Sequence, residues 1–218
     1  WSLKAVDLSP LRKVTSIGRY FLARCSSLTV LDVSPLSKIT EISPFFLYGC
    51  SSLTTVNLSK LNKVTSIGCD FMFCCSSLVA LDLSPLCKIT EIPRGFLYRC
   101  SSLTTIDLSP LSGVTSIGDA FMADCNGLVK LDLSPLSKIR TIPLEFLSKC
   151  SSLTFIDLSP LVYVTKIPDD FAAGCTSLKV VLLPPLVVRE QDATSGFFGR
   201  CRESGVFCFH REKSTQRK

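Results

Sequence analysis

Ser2-Leu3-Lys4-Ala5-Val6-Asp7-Leu8-Ser9-Pro10-Leu11 returns as Ser102-Leu103-Thr104-Thr105-Ile106-Asp107-Leu108-Ser109-Pro110-Leu111, with copies every 25 residues between them and no gap. Cysteine recurs at 25, 50, 75, 100, 125, 150 and 175, and phenylalanine at 21, 46, 71, 96, 121, 146 and 171. A fixed period of roughly 20–50 residues is the mark of a solenoid or another repeat array. Such a chain grows in one dimension and has no single compact core. A residue present in every repeat stacks on its own copies, so function is sought in what differs between repeats.

Residues 103–127 show how one repeat folds. In a strand, alternate side chains face opposite ways. Ile106 and Leu108 then point inward, and Thr105, Asp107 and Ser109 point outward. Ser109-Pro110 ends the strand, because proline has no N–H for the ladder. Leu111, Val114 and Ile117 follow at threes, as suits a tight return with one apolar side, and Val114–Ile117 reads as a second short extended piece. Gly118 breaks it, and Asp119 opens a helical turn that places Phe121 and Cys125 four residues apart on one side. Strands of successive repeats line up in parallel about 4.8 Å apart. Because the turns are wider than the strands, the stack curves with its parallel sheet on the concave side. The reading is an α/β repeat solenoid with short helical turns on the convex side.

The return segment alternates with a second period of 50: Val-Thr-Ser-Ile-Gly at 14–18, 64–68 and 114–118, against Ile-Thr-Glu-Ile at 39–42 and 89–92. Duplication of a repeat pair explains the pattern by descent, though not by physics. Residues 1–201 form the array. It starts mid-repeat at Trp1, as a piece of a longer protein would. Pro184-Pro185 and the run Val187–Asp192 lose the spacing, Phe197 restores the turn motif one residue late, and Gly205–Phe209 reads as a last strand over the open end. Residues 202–218 are then an irregular cap and a basic disordered tail.

Charge excludes some functions. The net charge is +6, of which +4 falls between Arg200 and Lys218, so the repeats are nearly neutral. That argues against a nucleic-acid-binding face. No run of about 18 uninterrupted apolar residues occurs, so nothing in this segment is read as inserting into a membrane. Seven of the twelve cysteines share one repeat position, and are read as a stacked column of buried free thiols rather than disulfides. A buried serine in place of Cys100 is therefore expected to cost about 1–3 kcal/mol.

The Leu-x-x-Ile-x-Leu strand, the later Ile and the Phe-Leu-x-x-Cys-Ser-Ser-Leu junction resemble leucine-rich repeats of the BspA-like, or treponemal, type, over roughly residues 3–201. Where commoner leucine-rich repeats have an Asn ladder, this chain has Leu36, Leu61 and Leu111, as that subtype does. The family's Ala-Phe survives only at Ala120-Phe121. The resemblance implies adhesion or host-protein binding, in surface proteins of bacteria and of parasitic or commensal protists.

Two outward columns carry the candidate chemistry. Asp7, Asp32, Asp82, Asp107, Asp132 and Asp157, interrupted by Asn57, repeat on the strand face. Carboxylates about 5 Å apart repel by roughly 0.8 kcal/mol in water. The column must therefore be wet, or offset by the following serines and by Lys13, Lys38, Lys63, Lys88 and Lys138. It is a solvated polar column, a cation site or a ligand contact. Two residues before each Asp the side chain varies most: Ala5, Val30, Thr55, Ala80, Thr105, Lys130, Phe155 and Val180. A variable column on a constant scaffold suits a specificity surface, and Phe155 is its best anchor. The candidate ligand-binding residues are Thr105, Asp107, Lys130, Asp132, Phe155 and Asp157. Cys201, Cys208 and His210 fall one short of a closed zinc site; a Cys201–Cys208 disulfide stapling the cap suits them better. No phosphate loop, cofactor motif or catalytic constellation is found. The expected role is a non-enzymatic module, without cofactor, that binds a protein (host or matrix) or a glycan on a cell surface. The alternative is an intracellular, cytoplasmic scaffold or targeting module.

Overall fold

A computed structural model describes residues 2–187 and 196–211. Among the described residues, nine short strands follow one another: β1 (Val30–Asp32), β2 (Glu41–Ile42), β3 (Thr55–Asn57), β4 (Ser66–Ile67), β5 (Glu91–Ile92), β6 (Ser116–Ile117), β7 (Phe155–Asp157), β8 (Val180–Leu183) and β9 (Phe207–His210), with one α-helix, α1 (Gly196–Glu203), before the last. All pairings are parallel, and the first four join residues 25 apart, such as Leu31 with Val56 and Phe155 with Val180. The chain is the repeat solenoid that the period predicts.

On the strand face the ladder comes in two blocks, β1–β3 and β7–β8–β9. Between them, residues 80–82, 105–107 and 130–132 carry no strand. The inward side chains of this middle stretch, Leu81, Ile106 and Leu131, are also less buried than Leu31 or Ile156. After five of the strand positions a 3-10 turn of Ser-Pro-Leu turns the chain, as at Ser109–Leu111. The aspartate before it starts that turn: Ser109 N–H donates to Asp107 Oδ1 at 2.8 Å. The same bond recurs at Asp7, Asp32, Asp82, Asp132 and Asp157, and Asn57 makes it with its amide oxygen. This is the local Asx turn that an aspartate two residues ahead of a free N–H offers.

The second extended piece is present, and its pairing explains the period of 50. Gly68 N–H donates to Ile42 O and Gly118 N–H to Ile92 O, closing the β2–β4 and β5–β6 pairs. At the same place in the next repeat stand Pro93 and Pro143, which have no N–H to give. The ladder therefore stops after each pair. Ser43 takes a third route, its hydroxyl reaching Ile17 O at 2.7 Å. Glycine is needed at 68 and 118 because a Cβ there would run into the backbones of Pro44 and Arg94.

The turn around each phenylalanine is tighter than a helical turn. Phe73 N–H donates to Asp70 O and Cys75 N–H to Met72 O, each an i to i−3 bond. Alternate residues have positive φ, as at Asp70 (57°), Met72 (52°) and Cys74 (59°). Left-handed backbone costs a non-glycine residue roughly 1–2 kcal/mol. Here it turns successive N–H groups in opposite directions: Asp70 N–H to Arg94 O in the next repeat, Met72 N–H to Phe46 O in the previous one, Cys74 N–H to Tyr98 O in the next. Each strained residue thus ties two repeats together, and no helix can propagate.

Inside, the seven phenyl rings from Phe21 to Phe171 stack at 5.1–6.0 Å with nearly parallel planes. Phe197 of α1 meets Phe171 edge-on at 76°, which ends the column. Arg200 closes the same end by donating to Phe171 O. β9 pairs with β8 beside it. Beside the rings runs the thiol column. Cys50, Cys75, Cys100, Cys125, Cys150 and Cys175 each donate S–H to a carbonyl 28 residues back, such as Met72 O for Cys100. Burial pushes Cys50 and Cys175 up to about 11 and Cys125 up to about 12. The serine expectation is corrected by this geometry: a hydroxyl at 100 finds an acceptor already in place.

These contacts set measurable costs. Phe121→Ala, opening the ring column, lowers stability by about 3–5 kcal/mol, and Gly118→Ala by about 1–3 kcal/mol through overpacking; denaturant melts read both. Thiol titration of the native protein modifies exposed Cys87 first, and the seven buried thiols of the column react only after unfolding; Cys100→Ser costs no more than about 1 kcal/mol, one net hydrogen bond's worth. Asp107→Ala lowers the melting temperature, while Asp107→Asn, repeating what Asn57 does, leaves it unchanged. Ser109, by hydroxyl and backbone N–H, holds Asp107 below its ordinary range, and Asp7 and Asp82 behave alike. Their contribution is therefore present above the ordinary carboxylate pKa and lost as pH falls through the lowered one, so acid narrows the gap between Asp107→Ala and the parent.

Candidate functional site

The strand face carries the predicted residues side by side. Thr105, Asp107, Lys130, Asp132 and Phe155 are exposed, as the alternation requires, and Asp157 is half-buried. Thr105, Lys130 and Phe155 occupy one repeat position in three consecutive repeats, with Asp107, Asp132 and Asp157 two residues further on. Asp157 is the more covered because Arg211, just past β9, lies over it at 3.9 Å.

The aspartates are compensated differently from the expectation. Among the described residues, Lys13, Lys38, Lys63, Lys88 and Lys138 pair with none of them. The offset comes from the serines: Ser N–H to each Oδ1, joined by the hydroxyls of Ser34 and Ser134 at 2.9 and 2.6 Å. Asn57 also bridges the column by donating its amide to Asp32 Oδ1 at 2.9 Å. One oxygen of most aspartates is thus occupied with starting the turn. Among the described residues no three His, Cys, Asp or Glu side chains cluster closely enough to hold a metal ion.

The register adds residues that the repeat reading left out. Phe155 lies opposite Val180, and Val180 opposite Phe207; Asp157 lies opposite Leu182, and Leu182 opposite Phe209. Phe155 is 47% exposed, Phe207 69% and Phe209 47%. Together with half-buried Val180 and Leu182 they form an apolar patch at the end of the strand face. The signal was present in Phe207-Cys208-Phe209, whose alternation turns both rings outward once Cys208 faces the core. The 25-residue period does not reach these residues, because the last strand stands off the repeat.

The cap residues do not make a site. Cys201 and Cys208 are both buried in the cap, and His210 is exposed on the far end of β9. A groove of about 470 Å³ lies away from the strand face, between return segments, lined by Arg140, Leu144, Lys166 and Asp169 among others. No helix among the described residues is long and apolar enough to cross a membrane.

Residues 2–111 and 72–202 match the family described as BspA type leucine rich repeat region (6 copies). No curated protein sequence matches the chain. Among solved structures, the chain is similar to a leucine rich cell surface protein of Faecalibacterium prausnitzii at 19% identity and a TM-score of 0.42, over 88% of this chain and 62% of that one. A leucine-rich repeat protein of Bacteroides ovatus is 15% identical with a TM-score of 0.33, over 92% and 82%. The functional domain of InlJ from Listeria monocytogenes, described as including a cysteine ladder, is 14% identical with a TM-score of 0.23, over 84% and 56%. The chain spans 62% of the length of the Faecalibacterium protein. With matches that run from residue 2 to residue 202 and a repeat of 25 throughout, the chain belongs to the BspA-type leucine-rich repeat family.

Proposed function

We propose that the chain is a non-enzymatic protein-binding module whose ligand lies across the strand face, centred on Phe155, and that it works at a cell surface or outside the cell. The observation that carries this reading is the row Phe155, Val180 and Phe207, standing outward in register on β7, β8 and β9. Aromatic side chains that are exposed, grouped and rimmed by polar residues fit an interface better than a solvated surface. Lys130 and Thr105 extend the row, and Asp107, Asp132 and Asp157 form its polar flank. The partner that suits this face is a protein, of host or matrix origin, that inserts an apolar side chain beside Phe155. A glycan is the second reading, favoured by the hydroxyl and carboxylate groups alongside the rings. Family membership supports the surface location. Residues 1–201 serve as the repeat array and 202–218 as its cap and tail, with Phe207 of the cap completing the binding row.

Phe155→Ala leaves the fold nearly intact, because the side chain faces water, and weakens binding by about 1–3 kcal/mol. The measurement is recovery of a binding protein from host or matrix extracts, then affinity and melting curves for the parent, Phe155→Ala, Phe207→Ala and Lys130→Ala. Unchanged affinity in all three variants, at unchanged melting temperature, removes the strand face as the site.

A further inference from the structure

On the turn side, away from the strands, one repeat position changes size along the array. In successive repeats it carries Tyr20, Phe45, Asp70, Gly95, Ala120, Glu145 and Asp170. From Tyr20 to Glu145 each has the same positive φ, 55–70°, so the backbone is shared and only the side chain differs. Gly95 and Ala120 remove two side chains in a row. What they leave is a groove of about 340 Å³, lined also by Phe73, Tyr98 and Leu144. Phe73 and Tyr98 stack at 4.4 Å, and Leu144 is 56% exposed. Asp70 stands one repeat before the dip, its carboxylate leaning over Gly95, and Glu145 one repeat after it.

At the Glu145 end two carboxylates from different repeats converge on one peptide unit. Leu144 N–H donates to Asp119 Oδ1 at 3.0 Å, and Glu145 N–H donates to Asp170 Oδ2 at 2.9 Å. Asp119 comes from the repeat before and Asp170 from the repeat after, and the side chain of Glu145 is exposed beside them. The second oxygen of Asp170, Oδ1, is shut off from solvent and has no hydrogen-bond donor among the described residues. It has lost its hydration and gained nothing in return. The cations nearby do not answer these groups. Arg94 borders the same groove, and Arg140 and Lys166 border the neighbouring one that shares Leu144 and Asp170. Arg140 lies over the Tyr163 ring, and Arg99 is taken by Asp124. Among the described residues none of Arg94, Arg140 and Lys166 forms an ion pair with these carboxylates. Four carboxylates, Asp70, Asp119, Glu145 and Asp170, thus stand against the single guanidinium of Arg94 in the groove.

The occupant must be cationic, and larger than a metal ion. Among the described residues no three acidic side chains cluster closely enough to hold a metal. A guanidinium is wider: its N–H donors form a planar fork that can serve more than one carboxylate at once. Its stem is apolar and lies along apolar surface while the head stays among polar groups. Gly95 and Ala120 leave such a floor bare beside Tyr98 and Leu144. Phe73 and Tyr98 spend their faces on each other and on Arg99, so they pack the stem rather than the charge. We propose that this groove takes an arginine side chain presented by an extended segment of a partner protein, with its guanidinium among Asp119, Glu145 and Asp170 and its stem over Ala120. The groove lies on the turn side, so binding there does not depend on Phe155.

The test is an NMR titration of the whole isotope-labelled chain with the peptide Gly-Ala-Leu-Arg-Leu-Ala-Gly, blocked at both ends. The controls carry Gln or Lys in place of Arg. The Arg peptide moves the amide signals of Gly95, Ala120, Leu144 and Glu145, and the Gln peptide moves none of them. Glu145→Gln with Asp119→Asn removes two charges and keeps an acceptor for Leu144 N–H; it weakens binding about 5-fold and flattens its salt dependence. Ala120→Phe repeats what Phe45 does on the same backbone, fills the floor and abolishes binding at an unchanged melting temperature. Should Ala120→Phe melt lower, the charge variant decides alone. Phe155→Ala binds like the parent. The Lys peptide, without the planar fork, binds about 3-fold more weakly. No shift with the Arg peptide, equal shifts with the Gln peptide, or a Glu145→Gln/Asp119→Asn variant that binds like the parent overturns the proposal. A Lys peptide that binds as tightly as the Arg peptide overturns the choice of a guanidinium.

Discussion

Everything in this molecule hangs on backbone hydrogen bonds between one turn and the next. Around each phenylalanine the N–H groups point alternately to the following and the preceding repeat, as Asp70, Met72 and Cys74 do. That alternation requires positive φ at every second residue, and seventeen non-glycine residues among those described adopt it. A single turn of this kind is strained and has no partners. Stacked on its copies it satisfies donors on both sides, which is why a repeat cannot fold alone. It also holds the repeat at 25 residues, since one insertion would misalign every bond across two neighbours.

The core follows from that alignment. Once turns sit directly over one another, identical side chains must meet, and those that tolerate meeting themselves are selected. Phenyl rings do so by parallel stacking, and thiols by donating to a carbonyl one layer back. The Asp–Ser turn does the same job on the strand side with a purely local bond. An aspartate engaged with its own chain is less available for a ligand, so the regular column reads as scaffold and the irregular positions beside it as surface.

Departures from regularity are informative for the same reason. Pro93 and Pro143 break the return-segment ladder into pairs because they lack a donor. Phe155, Phe207 and Phe209 stand as rings on a strand face whose other outward residues are aliphatic, small or polar, and Tyr48, Phe73 and Tyr98 stack on the turn side. The two clusters sit in different repeats and on different faces.

The period, the inward and outward sides of each strand, the thiol column and the late return of the turn motif at Phe197 were all readable from residue spacing, because stacking makes neighbours of residues 25 apart. So were the exposed positions of Thr105, Lys130 and Phe155, since strand alternation has a period of two. Other features depended on contacts that no spacing reveals. The sign of φ at Met72 or Cys74 is set by carbonyls in two other repeats, and residues of that type favour an ordinary helical turn by themselves. The gap in the strand ladder at 80–82, 105–107 and 130–132 has no mark in the 25-residue spacing, which runs through it unbroken. The compensation of the aspartates by serine N–H groups rather than lysines was decided by distance. The placing of Phe207 in one row with Phe155, across Val180 and off the repeat, was decided by the parallel register of β8 and β9, because a last strand that breaks the period can be placed only by the sheet it joins.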